Sequence, residues 1–316
     1  MYMTKVESRL KQSIQNVALT TGLSAWLAKR RPVRRVIMLH GVGGRDLRAS
    51  DFRRAMAWLK QNFRIQSLDS MVRALAAGTP PSFEGDVAIT FDDGLRNQIQ
   101  IAYPILQEFN IPATFFVCPE LISGNQWLWN HEARARLHRL SSQQCEEWAL
   151  ANGAPSSEVE RIIDWMKTLP IQVREVTAAN LRDSTTSFNP TPEEREAYDL
   201  LTWGEIAVLD RKLITIGSHT LSHPILPTLT DAQIQHELQA SKDILAWRLD
   251  RDIDLFCYPN GSTDARVREV VEQVYRAAVT TEEGFVVEDT NPFAMPRIPI
   301  SASLPLFAWR QYRPSA

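Results

Sequence analysis

At 316 residues, 44% of them hydrophobic and 23% charged, the chain is long enough to close one large α/β core or two small domains, and gross disorder is excluded. Lysine and arginine number 35 against 37 aspartates and glutamates, a formal charge of -2, so the basic excess of a nucleic-acid binder is absent and no polyanionic partner is implied. Three cysteines, Cys118, Cys145 and Cys257, are odd in number and widely spaced, which suits reduced, packed thiols rather than a disulfide framework or a zinc knuckle.

Residues 1–35 form a segment of their own. Lys5, Glu7, Arg9 and Lys11 come before any apolar run, unlike a signal peptide, and the stretch from Gln12 to Ala28 is too rich in Gln, Asn, Ser and Thr to span a bilayer. A cytoplasmic protein is expected. The segment is locally basic, with eight lysines and arginines, including Lys29, Arg30, Arg31, Arg34 and Arg35, against the single Glu7. Val6, Leu10, Ile14, Val17, Thr21 and Ala25 follow helical spacing, and Leu19, Leu23, Trp26 and Leu27 widen the apolar face. Two readings stay open: a helix packed on the main domain, the commoner origin of such a stripe, or an interfacial helix in peripheral contact with anionic lipid at the inner membrane.

From Val36 onward, short apolar runs alternate with helical patterns, as in a mostly parallel sheet with crossover helices. Strand is predicted for Val36 to Leu39, helix for Phe52 to Phe63, strand for Ile65 to Ser67, and helix for Leu68 to Ala77, stopped by Gly78-Thr79-Pro80-Pro81. Asp86 to Phe91 reads as a buried strand, Asn97 to Phe109 as helix and Ala113 to Cys118 as strand. The alternation then breaks. Residues 121–200, too long for a bare loop, read as a helical insertion with helices near His131 to Leu140 and Val159 to Met166. Beyond it come helix at Trp203 to Leu209, strand at Leu213 to Gly217, a long helix from Asp231 to Asp250, strand at Asp254 to Tyr258, helix at Ala265 to Gln273, and strands at Ala277 to Thr281 and Arg297 to Ile300. The fold class expected for residues 36–316 is an α/β, distorted (β/α) barrel of about seven strands, whose strand carboxyl ends carry the chemistry.

Two segments concentrate that chemistry. Ala88-Ile89-Thr90-Phe91-Asp92-Asp93-Gly94 ends a buried strand in two adjacent carboxylates. The twist into the turn lets both reach one site, where they require a cation or a proton; a capped Asp-Asp-Gly turn is the plain alternative. Gly217-Ser218-His219-Thr220-Leu221-Ser222-His223-Pro224 also follows a strand, and if the turn continues helically its two imidazoles share a face. Unrelated loop histidines are the alternative there. Together the segments offer two nitrogens and one oxygen, the protein-ligand count of a catalytic zinc site that keeps a position open. Zinc is the default divalent ion, and cobalt, nickel or iron suit the same donors.

Thr90 to Gly94 and His219 to His223 resemble the first two motifs of the polysaccharide deacetylase, or NodB-type, carbohydrate esterase family. Ile111 to Val117 is similar to the family's next strand, Phe256-Cys257-Tyr258-Pro259-Asn260-Gly261 to its third motif, and Ala277 to Thr281 to a late barrel strand. The resemblance implies that Asp93, His219 and His223 hold the metal and that Asp92 is the catalytic base. It places the oxyanion and substrate contacts at Asn260, through its backbone N–H, and Tyr258.

Two departures follow. Where many members have an arginine, this chain has Cys257, so the usual partner of the base is missing; Arg297 is the candidate replacement, or else a surface charge. No histidine occurs after His236, whereas many members draw their general acid from a late histidine. His40, at the end of the first strand, resembles the early histidine of the branch that includes poly-N-acetylglucosamine deacetylases, and is the expected acid; a histidine merely closing a turn is the alternative. His131, His138 and His236 are expected to be structural or solvated, and Trp127 and Trp129 to be packed rather than to form a sugar platform.

The function implied is a metal-dependent N-deacetylase acting on a GlcNAc-type sugar in a bacterial glycan or a lipid-linked precursor. An O-acetyl esterase on the same scaffold and a non-catalytic glycan-assembly protein are the competing expectations.

Overall fold

The computed structural model describes residues 5–31, 33–44 and 46–313, with side chains from Leu10 onward. Helices α1 (Lys5–Thr20) and α2 (Leu23–Lys29) precede β1 (Arg34–Leu39), α3 (Ala49–Asn62), β2 (Arg64–Ile65), α4 (Leu68–Ala76), β3 (Asp86–Phe91), α5 (Tyr103–Phe109) and β4 (Ala113–Val117). Six helices follow among the described residues: α6 (Pro119–Gly124), α7 (Trp129–Leu137), α8 (Ser142–Asn152), α9 (Val159–Thr168), α10 (Ile171–Ser184) and α11 (Pro192–Tyr198). The chain then runs through α12 (Trp203–Ala207), β5 (Ile214–Ser218), α13 (Asp231–Leu249), β6 (Leu255–Cys257), α14 (Ala265–Val274), β7 (Ala277–Glu283), β8 (Met295–Pro299) and α15 (Leu304–Arg310).

All named strands pair in parallel. The ring runs from β1 to β3, β4, β5, β6, β7 and β8, and β8 returns to β1, closing seven strands into the expected distorted barrel. The eighth strand, β2, lies along β3 only at Asp86 and Val87, below the point where β4 takes over at Ile89. Strand alternation separates two cores. Ile37, Ile89, Phe91, Phe115 and Ile216 face the helices. Val36, Ala88, Phe116, Leu255, Cys257, Val279 and Met295 cluster on the other face, together with Leu68, Met71 and Val72 of α4.

Gly217 is required by that second cluster. A Cβ there meets the Phe116 ring at 2.5 Å and the Leu255 carbonyl oxygen at 2.9 Å. Gly217→Ala is therefore expected to cost about 1–3 kcal/mol through overpacking. In urea the midpoint should fall while the m-value stays constant; an unchanged midpoint would mean that the Phe116 ring yields freely.

The insertion begins at Pro119 and ends near Tyr198, and it has its own core of Ala133, Leu137, Trp148, Ile162, Ile163, Met166 and Leu181. Its far end is stitched to the turn after β3: the Arg96 N–H donates to the Asp199 carbonyl at 2.7 Å and the Leu201 N–H to that of Gly94 at 2.8 Å. The predicted helix from Asn97 opens instead with a π-helical turn, Gln98–Ala102.

The amino-terminal helices do pack on the main domain, but not through the apolar stripe. Helix α1 packs on α15 through its small and polar positions, with Gln15 and Ala18 buried, while Leu10, Ile14 and Val17 face outward. Arg34 and Arg35 are not part of a free basic surface. Both are buried, and Arg35 donates to the carbonyls of Gln311, Val33 and Ala28. Burial pushes its guanidinium down to about 10.

Candidate active site

Asp92 and Asp93 follow the carboxyl end of β3. Strict alternation would send them to opposite faces, but Asp93 (φ 73°) and Gly94 (φ 67°) both adopt left-handed conformations, and this turns the Asp93 carboxylate back over the barrel end. Aspartate tolerates that conformation better than most residues. The adjoining π-helical turn contributes Gln98, whose side-chain amide donates to the carbonyls of both His40 and Asp92 and so ties the ends of β1 and β3 together.

The histidine pair is also built by irregular backbone. The expected helical continuation does not form, because residues 219–223 carry left-handed conformations at Thr220 (φ 69°) and His223 (φ 61°), and Pro224 follows. Glu237 of α13 takes the place of intrahelical bonding. Its carboxylate accepts from the backbone N–H groups of Leu221 and Ser222 at 2.9 and 3.0 Å and from the Ser222 hydroxyl at 2.7 Å. Burial nonetheless pushes that carboxyl upward. The imidazole centroids of His219 and His223 stand 4.8 Å apart.

These turns bring Asp93, His219 and His223 together, all buried, with one donor atom from each lying within 4.8 Å of the others. His219 Nδ1 donates to the Cys257 carbonyl at 2.7 Å, which leaves Nε2 to face Asp93. Asp93 Oδ1 lies 3.4 Å from His219 Nε2 and 3.5 Å from His223 Nε2. Those separations are long for charge-assisted hydrogen bonds, at about 2.7–2.9 Å. They match the spacing of about 3.3–3.4 Å expected between donors that each lie about 2.0–2.1 Å from one tetrahedral zinc. A buried carboxylate facing two imidazoles calls for positive charge between them, and at this spacing the three donors fit a divalent ion.

Arg297 is not a surface charge. It is fully buried on β8 and grips Asp92 with a two-pronged contact, Nη1 to Oδ1 and Nη2 to Oδ2, each at 2.7 Å. Its remaining N–H groups reach the Thr280 carbonyl at 2.7 Å, Thr90 Oγ1 at 3.0 Å and Cys257 Sγ at 3.4 Å. Burial by itself would raise the Asp92 carboxyl, but the guanidinium outweighs it and holds Asp92 below the usual carboxylate range. Small, neutral Cys257 leaves room for an arginine arriving from β8 instead of β6.

His40 follows β1 directly in an exposed position, and its backbone carbonyl shares the Gln98 amide with that of Asp92. It lines a cleft of about 770 Å³ with Gly41, Leu95, Tyr198 and Ser301. The same cleft contains His131. His131 stacks on Tyr198 with ring centroids 4.6 Å apart, and its Nδ1 is buried without a hydrogen-bond partner. Burial pushes this imidazole down to about 4, so it stays neutral at ordinary pH. No spacing to the other site residues could have announced it, because the whole insertion must fold to deliver it. Trp127 is packed as expected, edge-on to Tyr198 at 5.4 Å, with its N–H on Asp199. His138 and His236 are exposed.

The third-motif expectation needs one correction. Tyr258 has nothing to offer a substrate: its backbone N–H donates to Val279, its hydroxyl donates to the Phe293 carbonyl at 2.8 Å, and its ring is buried against Phe256. Asn260 is exposed at the next turn with φ 59°, followed by Gly261, where a Cβ would meet Thr281 Oγ1 at 1.9 Å.

Comparison with known proteins agrees with this architecture. The chain is 24% identical over 318 residues to a putative polysaccharide deacetylase, YxkH, of Bacillus subtilis (strain 168), covering 98% of this chain and 88% of that one. The Streptococcus pyogenes deacetylase PplD, solved in complex with acetate, superposes with a TM-score of 0.62 at 18% identity over 90% of this chain and 100% of that one. IcaB from Ammonifex degensii superposes with a TM-score of 0.60 at 16% identity, covering 89% and 98% of the two chains. Those structures share the fold. Residues 80–169 and 184–278 match the polysaccharide deacetylase family model, which leaves His40 and Arg297 outside the matched region. Because that match covers more than half of the chain and includes both the Asp92-Asp93 and His219-His223 segments, the chain belongs to the polysaccharide deacetylase family.

Proposed function

We propose that the protein removes the acetyl group from the acetamide of a GlcNAc-type residue in a bacterial glycan, with a divalent ion held by Asp93, His219 and His223. The observation that carries this reading is the convergence of those three donors beside Asp92, a carboxylate kept ionised by Arg297. Zinc suits the two nitrogens and one oxygen best. Bound there, the ion supplies Lewis acidity that polarises an amide carbonyl and eases loss of a proton from water.

The chain's own groups do the rest. Asp92 accepts the proton of the attacking water, since each of its oxygens retains a lone-pair site after bonding Arg297. Arg297 fixes the plane of that carboxylate. His40, at the cleft wall, gives a proton to the departing amine, a transfer that imidazole performs near neutrality. The backbone N–H of Asn260 is the donor we assign to the developing oxyanion, and neutral His131 offers its unpartnered nitrogen to a sugar hydroxyl.

The test is acetate release from a panel of N-acetylated oligosaccharides, with O-acetylated counterparts in parallel. Release from the N-acetylated set should disappear on chelation and return when zinc is restored, with about one ion bound per chain. A zinc-loaded protein that releases no acetate from any N-acetylated glycan would overturn the proposal. Release from the esters alone would reassign the site to O-deacetylation.

A further inference from the structure

We propose that the outward face of α1 and α2, together with Phe83, seats the protein on an anionic phospholipid surface. Amphipathic helices ordinarily bury their apolar stripe against the core. Here the stripe points out: Leu10, Ile14 and Val17, spaced i, i+4 and i+7, are 62%, 51% and 60% exposed. Across the Thr21-Gly22 turn the exposed apolar set continues with Leu23 and Trp26, the latter 50% exposed. Phe83, in the loop before β3, is 94% exposed and borders Lys29 and Arg30. The Arg30 guanidinium lies 4.1 Å above the Trp26 ring, so the Phe83 tip, the cations and the tryptophan are neighbours.

Charge selects the occupant. Lys11 and Arg30 are exposed and Lys29 is half-buried, with Arg31 beside them; Lys5 and Arg9 belong to the same helix by sequence. Glu84 follows Phe83, Glu288 lies across Pro81 and Glu7 belongs to α1 by sequence, so the cations outnumber the acids. Apolar side chains and an indole ringed by lysine and arginine are the composition of a surface that enters the headgroup layer of an anionic bilayer. No helix among the described residues is long and apolar enough to cross a membrane, so the contact is peripheral. Trp26, Lys29, Arg30 and Phe83 lie just before the amino-terminal ends of β1 and β3, whereas the Asp93-His219-His223 cluster follows the carboxyl ends of β3 and β5. Docking through them leaves the cleft open to a glycan extending into solution. This surface stands whether or not the barrel carries the chemistry proposed above.

Vesicle co-sedimentation of the full chain tests the inference, comparing phosphatidylcholine alone with phosphatidylcholine mixed with phosphatidylglycerol. Binding to the mixed vesicles should be at least about tenfold tighter and should weaken as salt rises. Leu10→Asp/Ile14→Asp/Val17→Asp and, separately, Trp26→Ser/Phe83→Ser should each weaken it by about tenfold or more while leaving the melting temperature intact. Lys29→Glu/Arg30→Glu should remove the preference for phosphatidylglycerol. Equal binding to both vesicle types, or variants that bind like the native chain, would overturn the inference. So would a concentration-dependent dimer in light scattering that the same substitutions dissolve, since the face would then belong to a second copy.

Discussion

Replacing Asp92 with asparagine is expected to lower acetate release by about 10²- to 10⁴-fold with little change in KM, the loss characteristic of a missing general base. Asparagine preserves shape but leaves the buried Arg297 without its counter-charge, so the fold should lose about 3–5 kcal/mol, and zinc content should stay near one per chain in the protein that remains folded. Asp93→Ala provides the contrast, because removing the donor that faces both imidazoles should abolish activity and zinc retention together. The comparison needs two readouts. If Asp92→Asn also loses its ion, the turn has collapsed and nothing follows about a base. If it keeps its ion and its turnover, Asp92 is not the base.

The barrel was legible because its strands are buried on both faces. Asp86–Phe91 and Ala113–Val117 are buried throughout, and such segments read as continuous apolar runs bounded by turn residues. The order of the Asp-Asp and His-His segments at strand ends was readable for the same reason. What local pattern could not convey is how the turns curl. Four-residue spacing suggested a helix for His219 and His223, whereas the pair meets through left-handed Thr220 and His223 held by Glu237, a residue 14 positions beyond His223. Tyr258 sits in a motif, and only the ladder to Val279 and the bond to Phe293 show that both its polar groups are already used. The stripe on α1 has the right period, but period alone does not say which face meets the core; burial of Gln15 and Ala18 decides it. Arg297 was ambiguous because a surface arginine commonly does nothing specific. Strand pairing of β8 with β1 and β7 turns it into the barrel.

Arg297→Met should destabilise the fold by about 3–5 kcal/mol, because it leaves Asp92 buried without its counter-charge. The double substitution Asp92→Leu/Arg297→Met should be less destabilised than Arg297→Met alone, since removing both charges also removes the uncompensated one; urea midpoints measure the difference. Additivity of the single substitutions within about 0.5 kcal/mol would show that the pair is not coupled. Acid should act in the mirror sense, because protonating Asp92 leaves the Arg297 charge unpaired. The Asp92 carboxyl is held below its usual range, so its stabilisation is fully present above the unfolded-state value and disappears as pH falls through the lower folded one. The native chain should therefore lose more stability than the double variant as pH falls through that window. Arg297→Lys separates charge from geometry: a lysine keeps a cation near Asp92 and should recover part of the stability, but it has no fork to fix both carboxylate oxygens. Acetate release should then remain depressed through kcat while KM holds. Full activity in Arg297→Lys would mean that Asp92 needs only a neighbouring charge and that the two 2.7 Å contacts are incidental to catalysis.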